Sequence, residues 1–597
     1  MARVIKDKKL LLWEDMLMEA GHPDTVLPSM FLQGVELTGD VQASGVFRPA
    51  FEPATLCEDD LLAMAPEANL ATIQSTRSSG KQNIDRGVWE KTMEEVDKEW
   101  LRGPLQASSV LASGVVTRRF GVEQGVDEKG PKVRPIDDFS ASLINSTVST
   151  EEKISLHTLD VLGAVVACWM HQACSRLEDA RLVGRAYDLK AAYRQLPLSP
   201  GARRFAFVSV FNPTEANAAV FGLSCLPFGA IASVHHFLRS AAALWKILVK
   251  CGRLLTTSYF DDFPLVTPPA LEESCASFIQ MVFRLTGWLF ATEGGKAGDF
   301  AQIFSVLGAE LDLREVHRGL FVLGNTQRRL NELVETIEMY LEAGTIGKSE
   351  AQRLRGRLGF AESLTFGRKG SLALKRLTQH VHAQPFEPAV SAGLELALAR
   401  LRDRLLSGRG REIKPVALTK RIVFTDASFE LRADGSAESG LGGILYDDTG
   451  AILSWFGLSL ESTMIKRLLA PGQKTAILEL EAVALIAAWD VWSQQLANRS
   501  ILFYVDNNSV RDSLIAGSSG NKHMQLALET IFELEDASSS VPWYVRVPSK
   551  SNPADDPSRG CFEGLPKSKR LDDVVIRSKI GAAIDAMLKE HPFPQAV

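Results

Sequence analysis

Two stretches of the sequence place carboxylates where phosphoryl chemistry could use them. In TTSYFDDFPLV, residues 256–266, Asp261 and Asp262 stand side by side between apolar and β-branched residues. Upstream, RLVGRAYD reads as a strand that delivers Asp188 at its C-terminal end, with Tyr193 shortly after it. Mg²⁺ takes hard oxygen ligands and keeps open positions for phosphates. Acids from two strands converging on a pair of ions about 4 Å apart are therefore what phosphoryl transfer needs. Asp188 on one strand and Asp261-Asp262 on a neighbouring hairpin would supply that geometry. Each residue also has a plainer reading, because Asp-Asp suits a hairpin tip and a strand-end Asp is commonly a cap or turn residue.

A second group of acids lies toward the C-terminus. RIVFTDASF ends a strand on Asp426, and LGGILYDDTGAILSWFGLSL reads as two strands joined at Asp447-Asp448-Thr449-Gly450. The helix ILELEAVALIAAW carries Glu479, the strand ILFYVDNNS ends on Asp506, and SNPADDPSR supplies Asp555. Four acids from separate elements suit a second two-metal site that cleaves a phosphodiester. Glu481 and Asp556 are adjacent acidic choices for two of these positions, and each acid alone has a cap or turn reading.

The elements that must position these residues belong to a chain of 597 residues with 46% hydrophobic content, enough for about three to five domains with cores of their own. No apolar run approaches the ~18 residues of a membrane span, and MARVIKDKKLLLWEDM has too short an apolar stretch for a signal peptide. An intracellular, soluble protein of the cytoplasm or nucleus is expected. Seven cysteines without C-x-x-C pairing indicate neither a disulfide framework nor a zinc site, and are expected to be reduced and mostly buried. The net charge of −6 argues against a nucleic-acid partner. Its distribution argues the other way, because residues 324–414 hold 16 Lys/Arg against 10 Asp/Glu. Arg353, Arg355 and Arg357, followed by Arg368-Lys369, form the densest basic cluster, which serves either as a solvated helix face or as a track for phosphates. Trp89, Met93, Val96 and Trp100 recur at helical spacing, so GVWEKTMEEVDKEWL should be an amphipathic helix packed on something downstream. SSGKQ, residues 78–82, lacks the remaining residues of a phosphate loop and reads as a linker.

YFDDF resembles the Y-x-D-D motif of reverse transcriptases, and its flanks follow that family's order. KVRPIDDFSASLIN (132–145) resembles the fingers motif through Arg134, Asp138 and Phe139; DLKAAYRQL resembles motif A and CLPFGAIASVHHF (225–237) motif B. GWLFATEGGK (287–296) is similar to motif D, and FSVLGAEL (304–311) resembles the strand motif after it. Two departures stand out: Val234 replaces a frequent proline, and the fingers motif runs long between Phe139 and Asn145. Asp426, Glu479 in an E-L-x-A helix, Asp506 and Asp555 resemble in their order the ribonuclease H domain of reverse-transcribing elements, with Ser549 and Lys550 where a histidine is often found. Asp448-Thr449-Gly450 also resembles an aspartic-protease signature but falls in a predicted hairpin. LRGRLGFA is similar to the thumb region of DIRS-type (tyrosine-recombinase) retrotransposons and some pararetroviruses.

The resemblance, to the reverse transcriptase of an LTR-type or DIRS-type retroelement, implies an α+β multidomain chain: a right-hand polymerase followed by an α/β ribonuclease H-like domain. Its divisions would be a largely helical N-terminal region (1–104), fingers and palm (105–320), a helical thumb or connection (321–415), the ribonuclease H-like domain (416–565) and a C-terminal helical tail (566–597). It implies that Asp188, Asp261 and Asp262 bind two Mg²⁺ (or Mn²⁺) ions, and that Asp426, Glu479, Asp506 and Asp555 bind two more. Tyr193 would lie where a ribose 2′-OH would sit, which implies use of deoxynucleotides. Arg134, with Lys132 or Lys129, would hold the triphosphate. Phe228 and Gly229 would line the nucleotide site, Gly229 letting the backbone approach the templating pair, and Lys296 would protonate the leaving pyrophosphate. The partners implied are an RNA template, a DNA primer, their hybrid, dNTPs and other proteins of the element. A scaffold that keeps the fold and binds RNA without catalysis is the alternative, and it predicts erosion of acids that are all present.

Overall fold

In a computed structural model the protein is described over residues 4–111, 114–127, 130–173, 180–293, 298–414, 419–432, 437–469 and 475–588. It divides into two compact units, Met1–Leu307 and Gly308–Val597. No helix among the described residues is long and apolar enough to cross a membrane.

The first unit is built on one hydrophobic core that runs from Trp13 to Phe290. At its centre lies the helix Ile231–Lys250, apolar on most sides, with Phe237, Leu238, Leu244, Ile247 and Leu248 buried. Phe237 packs edge-on to Trp288, which also meets Trp13 and Phe31. The N-terminal residues thus share the core of the motif-bearing residues. The periodic helix spans Gln82–Asp97; it buries Ile84, Val88 and Thr92, and Trp89, Met93, Val96 and Trp100 pack on the same core. SSGKQ leads into this helix as a turn tied to Asp85, which accepts from Ser78 Oγ at 2.5 Å and Ser79 N at 3.0 Å.

Two sheets carry most of the motifs. A five-stranded sheet has the order Leu101–Leu105, Asn217–Leu223, Phe207–Asn212, Val116–Asp127, Gly130–Asp137. A three-stranded antiparallel sheet has Asp262–Thr267 in its middle, between Leu255–Thr256 and Val183–Asp188. Proline in a middle strand normally removes a ladder bond. Pro264 is accommodated opposite Ala186 and spends its carbonyl on Thr257 N (3.1 Å) and Thr256 Oγ1 (2.7 Å).

The second unit begins with the antiparallel strands Ala309–Asp312 and Phe321–Asn325, and a helical part follows. Thr326 caps the helix Gln327–Ala343, accepting from Arg329 N, and Gly344 ends it in the left-handed region at φ +64°. The helices Lys348–Ser363, Gly370–His382 and Ala392–Leu406 complete a core of Leu333, Ile337, Leu358, Leu377 and Leu401. Beyond it lies a five-stranded sheet ordered Ile452–Ser459, Ala437–Tyr446, Lys420–Leu431, Ser500–Val505, Val541–Arg546. The first three strands are antiparallel and the last two run parallel to the central one. Asp447 closes the predicted hairpin by accepting from Thr449 N and Ala451 N, both at 2.9 Å. The C-terminal helix Asp573–Leu588 is no loose tail: Ile576, Ile580, Ile584 and Met587 lie in the core with the helices Ile477–Val491 and Lys522–Ser538.

The cysteines differ from expectation. Among the six described, Cys225 is buried, whereas Cys57, Cys168, Cys251 and Cys561 are exposed. Cys57 sits at a helix start, where its Sγ accepts from Asp60 N, a capping role that keeps it at the surface.

Candidate active sites

The Asp-Asp pair lies at a hairpin with a two-residue loop, Asp261 in the loop and Asp262 at the start of the returning strand. Tyr259 and Asp262 exchange both backbone hydrogen bonds, at 2.9 and 3.0 Å, which leaves Phe260 and Asp261 as the loop, Phe260 at φ +50°. The register of the strands sets Asp262 directly opposite Asp188, and Leu189 N donates to the Asp261 carbonyl at 3.0 Å. Three acidic residues from two chain segments therefore stand at one end of a small sheet. Hairpin and acid-pair readings coincide here, because the turn is what delivers the acids.

Around this edge stand several residues singled out from the sequence. The ring of Tyr193 lies between Phe228 (centroids 4.7 Å apart) and Phe237 (4.8 Å) and is nearly buried. Burial and then the charge of Asp261 push its phenol pKa up, opposed by Arg134. Asp261 and Arg134 thus both lie near the Tyr193 hydroxyl. The Arg134 guanidinium lies 5.2 Å from the Phe228 ring centroid. Gly229, at φ +96°, lies against the carbonyl of Asp137, 2.6 Å from where a Cβ would stand. Its freedom therefore serves a close approach to the strand Gly130–Asp137. Asn145 pins the same loop, donating to Gly229 O at 3.1 Å and accepting from Ile231 N at 2.9 Å. Lys132 is exposed on the strand Gly130–Asp137, and Lys129 and Lys296 lie outside the described residues.

In the second unit, one ligand oxygen each from Asp426, Glu481 and Asp506 lie within 4.8 Å of one another. The strand does not end on Asp426 but runs on to Leu431; parallel pairing of Phe424 with Tyr504 brings mid-strand Asp426 beside Asp506, just past the end of Ser500–Val505, and Glu481 reaches them from the first turns of Ile477–Val491. Asp426 accepts from Ser558 Oγ at 2.6 Å and Asn552 Nδ2 at 3.2 Å. Asp506 accepts from Ser549 Oγ at 2.8 Å. Glu481 Oε1 accepts from Ala427 N at 3.4 Å, whereas buried Oε2 has no donor among the described residues. Burial, then the charges of Asp506 and Asp555, push Asp426 up to about 7. Glu481 is raised well above its usual range by burial and then by Asp506 and Asp426. Mutually repelling hard oxygens, one of them without a donor, fit a divalent cation.

Glu479, the acid chosen from the sequence, is not in this group. Its buried carboxylate accepts from Asn521 Nδ2 at 3.0 Å and lies 3.8 Å from His523 Nδ1. Residues two apart on a helix point about 200° apart, so only one of Glu479 and Glu481 can face Asp426. Asp555 is also outside the triad: it binds Arg559 at 2.9 Å and reaches Asp426 through its charge.

The basic cluster divides. Arg353, Arg355 and Arg357 lie exposed on the helix Lys348–Ser363, bonded to Glu350 (3.0 Å), Thr378 (3.2 Å) and Glu332 (3.4 Å). Arg368 is committed elsewhere, with a two-pronged pair to buried Glu535 (2.6 and 3.0 Å) and a bond to Leu514 O (2.7 Å); Lys369 pairs with Glu533 at 3.0 Å.

No family model matches the sequence, and no curated protein matches it. Among solved structures the chain is similar to the foamy viral protease-reverse transcriptase dRH in complex with double-stranded DNA (12% identity, TM-score 0.42, over 90% of this chain and 82% of that one). It is similar also to the foamy viral protease-reverse transcriptase with double-stranded DNA (13%, 0.41, over 84% and 88%) and with an RNA/DNA hybrid (10%, 0.39, over 87% and 81%).

Proposed function

We propose that the chain is an RNA-directed DNA polymerase with an associated ribonuclease H activity, of the kind found in LTR-type or DIRS-type retroelements. The observation that carries the reading is the register that sets Asp262 opposite Asp188, with Asp261 at the hairpin tip and its charge on the hydroxyl of Tyr193. The ordered sequence motifs support it, as does the acidic triad in the second unit. Fingers and palm would occupy residues 105–320, the thumb or connection 321–415, and the ribonuclease H-like domain the sheet from 416 onward.

At the first site Asp188 and Asp261, with Asp262 beside them, would hold two Mg²⁺ or Mn²⁺ ions. The bound metals would stabilise the attacking and leaving oxygens of an in-line displacement at the α-phosphate of a dNTP. Tyr193 closes the space beside the sugar, and Arg134, exposed on its strand, meets the triphosphate with Lys132. At the second site Asp426, Glu481 and Asp506 would hold the metal, and Ser549 and Ser558 orient the aspartates by hydrogen bonds. The hybrid would be recognised by its shape and its 2′-OH groups.

Primer extension on an RNA template with Mg²⁺, and either dNTPs or rNTPs, tests the reading. Extension with dNTPs is expected. No extension with either nucleotide would favour a non-catalytic RNA-binding scaffold, and preference for rNTPs would overturn the role of Tyr193. Asp261→Asn should abolish synthesis and spare hybrid cleavage, and Asp506→Asn should do the reverse; loss of both activities from either change would contradict two independent centres.

A further inference from the structure

Four charged side chains meet beneath the turn that carries Tyr193. Arg194, next to Tyr193 in the chain and 3% exposed, reaches Glu95 Oε1 with Nε (2.9 Å) and Nη2 (2.7 Å), and the Leu226 carbonyl with Nη1 (3.2 Å). Arg119, fully buried along its side chain, holds Asp137 with two bonds (2.7 and 3.1 Å) and Glu95 Oε2 with a third (2.8 Å). The two oxygens of Glu95 therefore serve two arginines, on the helix Gln82–Asp97 whose role the sequence left open. Asp137 ends the strand that bears Arg134, and its carbonyl is the atom against which Gly229 packs. A single carboxylate of the N-terminal helix ties together the Tyr193 turn, the Arg134 strand and the loop from Leu226 to Gly229.

The turn is gripped on its other side as well. Gln195 donates to Lys190 O (2.8 Å) and Leu289 O (3.0 Å) and accepts from Leu289 N (2.8 Å). With Arg194 and Gln195 both held, Tyr193 between Phe228 and Phe237 has little room to shift unless buried bonds break. Buried ion pairs are often no more stabilising than apolar residues of similar volume, so a cluster of four at this place answers a demand for geometry better than one for stability.

We propose that Glu95 is a positioning residue for nucleotide selection. Through Arg194 and Arg119 it sets Tyr193 and Arg134 in the relation that admits a deoxyribose and rejects a ribose. This deepens the polymerase reading and rests on it.

The test is single-nucleotide primer extension by the full chain and its Glu95→Gln and Glu95→Asp variants with dNTP and rNTP, alongside thermal unfolding and hybrid cleavage. For Glu95→Gln, kcat/KM with dNTP should fall on the order of 10- to 100-fold, as misplacement of a positioning group does. With rNTP it should fall less, so that discrimination narrows, and hybrid cleavage should not change. Glu95→Asp, which keeps the charge, should recover part of the discrimination. Equal losses for both nucleotides, or unchanged discrimination in a folded variant, would overturn the proposal while leaving the polymerase reading in place. If Glu95→Gln does not fold, Glu95→Asp carries the test: narrowed discrimination supports the proposal and wild-type discrimination overturns it. A wild-type chain that extends with neither nucleotide overturns the polymerase reading, and this inference with it.

Discussion

Replacing Gly229 by alanine probes how tightly the loop of CLPFG is set against the strand Gly130–Asp137. Gly229 stands at φ +96°, and a Cβ there would lie 2.6 Å from the carbonyl oxygen of Asp137. Both costs fall on backbone: a positive φ costs a residue with a Cβ about 1–2 kcal/mol, and an atom forced into closed packing costs about 1–3 kcal/mol. The obstructing atom belongs to a strand, so relief requires that the end of Gly130–Asp137 or the loop itself move. Together these predict a loss of about 2–5 kcal/mol. At about 2–4 °C per kcal/mol this lowers the unfolding temperature of the first unit by on the order of 10 °C. Movement of the loop would also pull Gly229 from Asn145 and Phe228 from Tyr193, so synthesis should fall at temperatures where the variant is still folded, with hybrid cleavage retained. Gly356→Ala is the control. Gly356 lies within the helix Lys348–Ser363 with nothing within 4 Å of its virtual Cβ, and alanine there should stabilise by about 1 kcal/mol. Calorimetry and primer extension on both variants decide the matter: a Gly229→Ala protein that unfolds with the wild type and extends normally refutes the close approach.

Three further outcomes follow from the geometry. Glu481→Gln should abolish hybrid cleavage and weaken divalent-metal binding measured by calorimetry, whereas Glu479→Gln should mainly loosen the hold on Asn521 and leave metal affinity near wild type; the reverse pattern would restore Glu479 to the site. Arg368→Ala leaves buried Glu535 with the Tyr544 hydroxyl as its remaining donor and should cost about 1–3 kcal/mol of stability without altering the salt dependence of primer-template binding; charge reversal at Arg355 and Arg357 should reduce that salt slope, and an unchanged slope would make them a solvated face. Burial raises the carboxyl of Glu95, but Arg194 and Arg119 outweigh it and hold it below its usual range. The folded value then lies below the unfolded one, so the contribution is present above about pH 4.3 and lost as pH falls through the folded value. The stability gap between wild type and Glu95→Gln should therefore be largest near neutrality and close under acid, and a gap constant down to about pH 3 would contradict the pairing.

Much of the local structure was written in short-range pattern. Alternation and β-branching marked the strands at RLVGRAYD and RIVFTD, and turn chemistry marked Asp447–Gly450, because each depends on residues a few positions apart. The same holds for most of the acids, since strands and a tight hairpin carry them wherever the strands go. What depended on distance in space was not legible. Glu479 and Glu481 differ by half a turn of helix, and only the packing of Ile477–Val491 on the strand Lys420–Leu431 decides which of them faces Asp426. Arg368 and Arg355 look alike in a basic run, yet one pairs with Glu535 far along the chain while the other remains on an exposed helix face. Glu95 carried no motif at all. The sequence by itself determined which side chains could do chemistry and which elements would bear them. The tertiary structure alone decided which of these meet, because convergence of charged groups in a buried place is set by long-range packing and by the cost of leaving any of them without a partner.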